Sequence, residues 1–572
     1  MKQEYAPIEE HIRIYRGLLK LGPLKISLLE EGHARMGSSL HPLASSDEVD
    51  VSAFLYSARR LPDCIVKVDR VVMGKSDVAL RSSGLIDSSC CIQVQARSRR
   101  RLTLFDGRST LAANICSPSD LDDLVPALTC YQMEWNKIHS KLVRSDLGRA
   151  IASNPGKVLE KNEEMRKVLH ISRDDWEMIQ KAWGDACWGE KLSAIANGPK
   201  DITVEFASAD PSRYRDSMAG RLTEFLSHFR GLDIERRPVY FVSSNDHSLA
   251  NLLSGFAAKN REEILAHVLE DDRLRKRWEL IKDDDQGFGD NLLYYSMQAH
   301  LRSEERFRAL RTAEEEVGIR RHDRSRFVDL RASIIEIGKL QPDRMDGRLT
   351  MRGLSSLKES RALILNVDYP LGLSARYLLS QAISKLEELK GVYIMGKAAT
   401  MYGRLGDVMI PAVVFDMHSG RLFTFENCFS LREVRGHLRD SAVFDDQRAV
   451  TVRGTFLHNR EAMEEFKRDD YNSIEMEAGP YLSAVLESHP SRGEKGEKIE
   501  LGGERGFDFG ILHYASDTPY SQRVSLLSKG LGYEGIEATY ACSLAILKRI
   551  LEKEVLRLRI ETGKERKGPG CD

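Results

Sequence analysis

The sequence predicts an α/β protein in which a largely parallel C-terminal sheet is flanked by helices and preceded by an α+β N-terminal region. Three observations predict it. From residue 361 onward, apolar runs of strand character alternate with amphipathic stretches of helical period, the pattern of βαβ units. Before residue 115, apolar and polar residues alternate, as they do in antiparallel pairs. The length of 572 residues, 42% hydrophobic and 30% charged, exceeds one ordinary core and implies two or three domains.

Taken in order, the first fifty residues read as helix and then loose chain. The runs CIVKVDRVVMG and CCIQVQARSRRRLTLFDGRSTLAANI predict antiparallel strands, with a turn at Asp106-Gly107. At SPSDLDDLVPALTCYQMEWNKIHSKLV the period becomes helical, with Ser117 or Ser119 as the cap. Helix continues through SRDDWEMIQKAWGDACWGEKLSAI, whose tryptophans read as core. From Asp201 the texture is α/β: DITVEF is a strand, SRYRDSMAGRLTEFLSHFRG a helix, and RPVYFVSSNDHSLANLLSGFAAK a strand, polar turn and helix. A long charged helix is predicted over 292–317, solvated through its mixed-sign pairs.

Beyond 361, RALILNVDYPLG is a buried strand with a turn, LSARYLLSQAISKLEELK an amphipathic helix, and GVYIMGKAAT a strand entering a small-residue loop. GDVMIPAVVFD, RLFTFEN, AVTVRGTFL, YNSIEMEA and FDFGILHYASDTPYS supply further strands, and GIEATYACSLAILKRILEKEVLRL closes as helix. HPSRGEKGEKIELGGERG reads as a glycine-rich charged insertion and TGKERKGPGCD as a disordered tail. The resulting division is 1–200, an α+β region of no assigned role; 201–350, an α/β and helical middle; 351–560, the alternating α/β domain; and 561–572, the tail.

A net charge of -1 gives no general pull toward nucleic acid or membranes. No apolar run reaches membrane-spanning length, and the opening residues lack the apolar centre of a secretory signal. Nine cysteines without CxxC spacing point to reduced thiols, so a cytoplasmic protein is expected. His437, His458 and His489 stand apart without metal-ligand spacing, and neither a metal nor an organic cofactor is expected. The basic run RSRRR, residues 97–101, is the local exception. It reads as a solvated strand edge, or as a nucleic-acid contact that salt would weaken.

The stretch YNSIEMEAGPYLSAV places Glu475 and Glu477 astride Met476 in an otherwise apolar run. In a strand, residues two apart point to one side, so both acids would share a face. Burying such a pair is costly unless partners satisfy it. Either the pair sits at a harmless edge, or it awaits a ligand rich in hydroxyl groups.

Three features fall on one edge of the predicted sheet: GKAATMYGRLGDVMIP after a strand, SIEMEAG at a strand end, and YASDTPYS at another. Their order and spacing resemble the nucleoside phosphorylase and nucleosidase superfamily. There a glycine-containing loop precedes a GDVVIP-like segment, followed by an EME strand end and an SD strand end. The resemblance spans about 361–556, and Pro519 after Asp517 is most similar to the SDKP-like string of the AMP nucleosidase branch. It implies a phosphorylase-like mixed sheet flanked by helices. It also implies cleavage of the N-glycosidic bond of a purine nucleoside or nucleotide by water. The alternatives are phosphorolysis and a nucleotide-binding sensor without turnover.

By this resemblance Glu477 would hold ribose hydroxyls, Met476 would lie against the sugar, and Glu475 would support them. Asp517, desolvated beside the apolar FGILHYA, would assist the departing base as general acid; otherwise it is a helix cap. Phe456 would stack on the base and Leu457 offer backbone contacts, or both are core. Gly396 and Ser516 would line the site. Lys397 stands where the family has small or hydroxylated residues and suggests an anion, with Arg404, Arg453 and Arg376 as further cations. Asp368 falls at the family's early turn. The family's early glutamate, an aid to water activation, has no clear counterpart, and Glu336 in RASIIEIG is the substitute considered. The partners implied are a purine nucleoside or nucleotide, phosphate in the phosphorolytic case, and further copies of the chain as a homo-oligomer.

Overall fold

The computed structural model describes residues 6–87, 89–99, 101–154, 161–183, 188–207, 222–223, 225–284, 286–322, 331–488, 496–502, 506–518 and 533–565. Its strands form a six-stranded and an eleven-stranded sheet. The smaller holds β1 (Leu24–Lys25), β2 (Arg70–Gly74), β3 (Ile92–Val94), β4 (Thr103–Phe105), β5 (Thr110–Asn114) and β6 (Thr203–Phe206), in spatial order β1-β6-β2-β5-β4-β3. β4 and β5 pair antiparallel across the expected turn, where the Asp106 carboxylate accepts from the Arg108 and Thr110 amides at 2.8 and 3.0 Å. Helices α1 (Ala6–Leu21), α2 (Val51–Arg60) and α3 (Pro118–Val143) accompany this sheet. Ser117 begins α3 through a capping box with Asp120, which satisfies amides that the first helical turn leaves open.

The larger sheet holds β7 (Pro238–Ser244), β8 (Ile319–His322), β9 (Ala332–Glu336), β10 (Leu363–Asp368), β11 (Glu388–Thr400), β12 (Val408–Asp416), β13 (Arg421–Phe425), β14 (Val443–Thr451), β15 (Tyr471–Glu475), β16 (Lys498–Leu501) and β17 (Asp508–Asp517). It runs β16-β13-β12-β14-β15-β11-β7-β10-β9-β8, while β17 pairs with both β11 and β12. The pairings β12·β14, β14·β15, β15·β11, β11·β17 and β17·β12 therefore close a ring. Register shifts at Ala398/Ala399, Met409/Pro411 and Arg448/Ala449 supply the bends that closure needs. The sheet is mixed: β7, β10, β11 and β17 run parallel, and β15 joins β11 antiparallel.

Alternation along the strands divides two cores. Val239, Phe241, Leu363, Leu365, Val392 and Ile394 face α4 (Leu373–Lys385) and α5 (Ala478–Ser488). Tyr240, Val242, Ile364, Tyr393 and Met395 face α6 (Tyr533–Glu565). Covering both faces explains why these strands read as continuous apolar runs.

The stretch 201–350 supplies strands to both sheets: β6 completes the smaller one, and β7 lies between β11 and β10 in the larger. The charged helix expected over 292–317 is two, Phe288–His300 and Glu304–Glu316, because Ser303 caps the second through the Arg306 amide. Within the glycine-rich insertion, KIEL is the edge strand β16, with Ile499 and Leu501 alternating into the core. CIVKV forms a 3₁₀ turn, Asp63–Lys67, instead of extending β2. Most of the helix expected at SRYRDSMAGRLTEFLSHFRG, Arg100, His489, Pro519 and residues 566–572 lie outside the described residues. Among the described residues no helix is long and apolar enough to cross a membrane.

Candidate functional site

Ring closure gathers the motifs. Ala399 of β11 stands in register with Ile474 of β15 on one side and Asp517 of β17 on the other. Strands lie about 4.8 Å apart, so the two motif ends are about 10 Å apart across one strand. β14 leaves the sheet at the same rim, where the Val452 amide donates to the Glu475 carbonyl at 2.8 Å and places residues 453–457 beside the acids.

The two glutamates do different jobs. Glu475 turns inward: one carboxylate oxygen accepts from the Glu477 and Ala478 amides at 2.6 Å each, and the other from the Thr451 hydroxyl. It caps α5. Its oxygens are committed to backbone and hydroxyl donors, so Glu475 acts on the rim through the α5 terminus that carries Glu477. Burial pushes its carboxyl up to about 7, against the opposing pull of Thr451 and the two amides; the nearby acid Asp416 adds to the rise. Glu477 lies at the rim, partly open to solvent, and accepts from the Gly372 amide at 3.3 Å. Burial first, and then the Glu475 charge, push it up to about 8, while the Gly372 amide and Arg101 oppose.

The wall facing Glu477 comes from the N-terminal region, which the sequence reading left without a role. Ser119, in the first turn of α3, accepts from the Leu373 amide at 2.9 Å. Gly372 has φ +52° and ψ -121°, and a Cβ there would come within 2.3 Å of the Ser119 hydroxyl. Arg101 is 8% exposed in its side chain, pairs with Asp120 at 2.6 Å and reaches Ser374 at 3.4 Å. Burial would raise the Asp120 carboxyl, but Arg101 and then Arg99 outweigh it and hold it below its usual range. Arg60 pairs with Asp123 at 2.6 Å, and Arg99 approaches the same acid at 3.7 Å. RSRRR is thus a solvated edge only in part: Arg97 and Ser98 are exposed, whereas Arg99 and Arg101 are buried against carboxylates in the first turns of α3. The cue was present as the four arginines of RSRRR and the acids of SPSDLDD, but nothing local announces that they pair.

Asp517 ends β17 half-buried, with its carboxylate accepting the Thr518 amide at 2.9 Å. It acts electrostatically on Tyr56 and Arg59 in α2. Phe456 is fully buried, edge-on to Tyr56 at 5.4 Å and tilted against His33 at 6.1 Å, and Leu457 is in the same core. N-terminal aromatics therefore occupy the surroundings of Phe456 that a stacked base was expected to fill. Met476 is buried at the same junction.

The expected cations are dispersed. Lys397 is exposed on β11, in register with Tyr514. Arg404 is exposed in a loop whose preceding Met401 amide bonds to Asn472, at the entry of β15 and away from Glu475. Arg453 pairs with Glu9 at 3.0 Å and donates to the Met417 carbonyl at 3.3 Å. Arg376 is paired with Glu487 in a small cavity of about 210 Å³ also lined by Tyr377, Ser380 and Gln381. Gly396 backs onto the His513 ring, and the Ser516 hydroxyl reaches the Ala398 carbonyl at 3.4 Å within the sheet. Asp368 is buried at the C-terminal end of β10, four residues before Gly372. Glu336, opposite Leu363, lies at the other end of that strand among Arg237, Arg320 and Lys339, which removes it as a water-activating substitute.

Solved structures with partial likeness include a 5'-methylthioadenosine/S-adenosylhomocysteine nucleosidase from Neisseria meningitidis in complex with methylthio-immucillin-A. It is 11% identical, with 56% of this chain and 99% of that chain covered at a TM-score of 0.30. An S-adenosylhomocysteine nucleosidase from Streptococcus pyogenes is 9% identical over 56% and 98% of the respective chains, with a TM-score of 0.30. A uridine phosphorylase from Vibrio fischeri is 11% identical over 43% and 88%, with a TM-score of 0.28. No curated protein matches the sequence. The profile described as "Family of unknown function (DUF6909)" matches residues 26–552.

Proposed function

We propose that this chain, which belongs to the family of unknown function DUF6909, cleaves the N-glycosidic bond of a purine nucleoside or nucleotide. The observation that carries the reading is the shared register of Ile474 and Asp517 on Ala399, which sets Glu477 and Asp517 on one rim. The strand positions Ile474 and Asp517, about 10 Å apart across β11, bring one acid to each side of the same rim, which suits two groups working at opposite ends of a nucleoside, sugar at one and base at the other.

Glu477 is the sugar-binding residue in this reading. Its carboxyl is mostly protonated at neutral pH before ligand binds, and vicinal hydroxyls donating to it favour the carboxylate, so binding releases a proton. Asp517 hydrogen-bonds toward the base and assists its departure as negative charge moves onto it. Glu475 holds the α5 terminus that fixes Glu477, and Arg101 faces Glu477 from the N-terminal wall. These roles are supported by motif order together with the rim geometry.

One observation favours a second reading. Phe456 is covered by Tyr56 and His33, so a base could reach it only after the N-terminal layer moves, as in a nucleotide-binding sensor. A panel of purine nucleosides and nucleotides, with and without phosphate and followed by chromatography of free base, separates the readings. Base release independent of phosphate supports the nucleosidase, and release only with phosphate supports phosphorolysis. Tight nucleotide binding without release at high enzyme concentration overturns both in favour of the sensor.

A further inference from the structure

Three histidines are buried where the N-terminal region covers residues 456–459. His41 and His33 are joined end to end. His41 Nε2 meets the Glu134 carboxylate of α3 at 2.8 Å, and His33 Nε2 meets His41 Nδ1 at 3.0 Å. The carboxylate accepts, so neutral His41 carries its proton on Nε2 and offers Nδ1 to the Nε2–H of His33. That order leaves His33 Nδ1 as a bare lone pair. His11 of α1 crosses the His33 ring edge-on at 5.9 Å, and Phe456 is tilted against it at 6.1 Å. None of the three histidines is more than 2% exposed. Among the described residues, His11 Nδ1 and Nε2 and His33 Nδ1 have no hydrogen-bond partner.

The same stretch of chain is fastened to the segment that carries Phe456. The Ser39 amide donates to the His458 carbonyl at 3.0 Å, the Ser39 hydroxyl meets His458 Nδ1 at 2.5 Å, and Ser38 bridges Asn459 antiparallel. Residues 33–41 therefore hold both the histidine chain and the strap. Charge around them is uneven. Glu134 stands beside His41, but Lys137 pairs with it at 2.6 Å and the Asp50 amide donates to it at 2.6 Å. Asp50 caps α2 through the Ala53 amide at 3.0 Å, and Glu30 accepts from Gln132 at 2.9 Å. On α1, Tyr15 and Arg16 are bonded to Asp122. The groups that act on a His33 charge are His41, His11 and Lys137, all basic. From the C-terminal side the ionisable neighbour of the strap is His458, which burial holds down to about 4. Burial likewise holds His11 down to about 4; His33, with its basic neighbours adding to burial, lies well below its usual range. A proton on His11 or His33 places a cation in a dry seam of rings and basic groups.

We propose that His11 and His33 form a proton-operated latch: the neutral rings keep residues 33–41 closed over Phe456, and their protonation releases that strap and uncovers the ring. The latch governs access to Phe456 whatever ligand the rim takes, so it stands apart from the N-glycosidase reading. A histidine freed from the seam titrates near 6.5, whereas the closed His11 does so at about 4. The closed form is therefore fully favoured above 6.5. It loses ground as pH falls toward 4, by about tenfold per pH unit for each histidine that takes up a proton on opening.

Hydrogen exchange of the full chain at pH 7.5, 6.5 and 5.5, read by mass spectrometry and corrected for the intrinsic pH dependence of exchange, tests this. The peptide holding the Ser39 amide reports the strap, and β11 reports global opening. Protection at Ser39 should fall about tenfold or more between pH 6.5 and 5.5 while β11 stays protected. His11→Phe keeps a ring at the edge-on contact and cannot titrate; His33→Gln keeps a donor toward His41. Each should flatten the Ser39 profile by about tenfold per pH unit. His437→Gln, which removes a half-buried histidine bonded to Lys548 at 3.2 Å, should leave the profile unchanged. If His33→Gln unfolds, His11→Phe decides, because the His11 nitrogens make no hydrogen bond whose loss could unfold the chain. An unchanged slope in His11→Phe, or loss of Ser39 protection only together with β11, overturns the latch.

Discussion

Glu477→Gln tests the electrostatics of the rim without assuming any reaction. An unfolded glutamate titrates near 4.5, whereas the folded Glu477 carboxyl titrates at about 8 because of burial and the neighbouring Glu475 charge. A raised folded value means that the native protein holds the proton more tightly. That contribution to stability is fully present below 4.5 and is lost as pH rises through the folded value near 8. Each pH unit within the window removes about 1.4 kcal/mol. Across the window the loss is about 3–5 kcal/mol, the lower figure allowing for water that still reaches the carboxyl. Glutamine preserves the neutral form and titrates nowhere. Glu475, at about 7, titrates in both proteins, and because the two charges interact, the difference between their curves reports the Glu477 carboxyl together with its coupling to Glu475. Urea unfolding from pH 4 to 9, followed by tryptophan fluorescence, measures that difference. Trp135, Trp176 and Trp188 belong to the core that includes Met476 and Phe456, so their emission reports on the relevant packing. The stability difference, wild type minus variant, should fall by several kcal/mol between pH 5 and 8, leaving the variant relatively better placed at pH 9. Parallel curves would refute the claim that Glu477 is held protonated by its surroundings.

Three further outcomes are expected. Asp517→Asn should lower kcat about a hundredfold, within the range for a positioned general acid, and leave substrate Kd within a few-fold; equal losses in both would make Asp517 a positioning residue. If sugar hydroxyls bind the Glu477 carboxylate, nucleoside affinity should rise about tenfold per pH unit below about 8 and then level off; a flat profile from pH 6 to 9 would remove Glu477 from the sugar. Gly372→Ala meets the Ser119 hydroxyl at 2.3 Å in a backbone conformation that disfavours a side chain, and should cost about 2–4 kcal/mol. Adding Ser119→Gly should restore only the steric share, and complete rescue or no rescue in thermal melts would contradict that division.

Much of the strand pattern in the larger sheet was legible because its strands are covered on both faces. Leu363 to Leu365 and Val392 to Met395 are apolar without interruption, and α4 and α6 carry the helical period between them. The Ser117 cap and the Asp106-Gly107 turn were legible for a local reason: their side chains act on amides within four residues. The differing roles of Glu475 and Glu477 were not, since spacing of two implied a common face. β15 ends at Glu475, and the backbone turns into α5 before Glu477, so strand alternation no longer applies. The placement of β6 and β7 in different sheets was also hidden, because pairing partners more than a hundred residues away leave no periodic trace.

The N-terminal region belongs to the physics of the rim. Val450, Val452, Phe456, Leu457 and Met476 from the larger sheet's edge share one core with residues of α1, α2 and α3. Exposing five such side chains costs about 1.5–3 kcal/mol each, a sum comparable to the whole stability of a typical domain. The same contact is polar where it meets Glu477. Arg101 opposes the rise in the Glu477 pKa while its own charge is balanced by Asp120. Apolar packing thus fixes the layer in place, and the buried ion pairs set the electrostatic field at the acids. Α hydroxyl-bearing ligand entering this rim meets a carboxyl whose proton affinity depends on both halves of the chain, so separating the halves alters the acid itself as well as access to it.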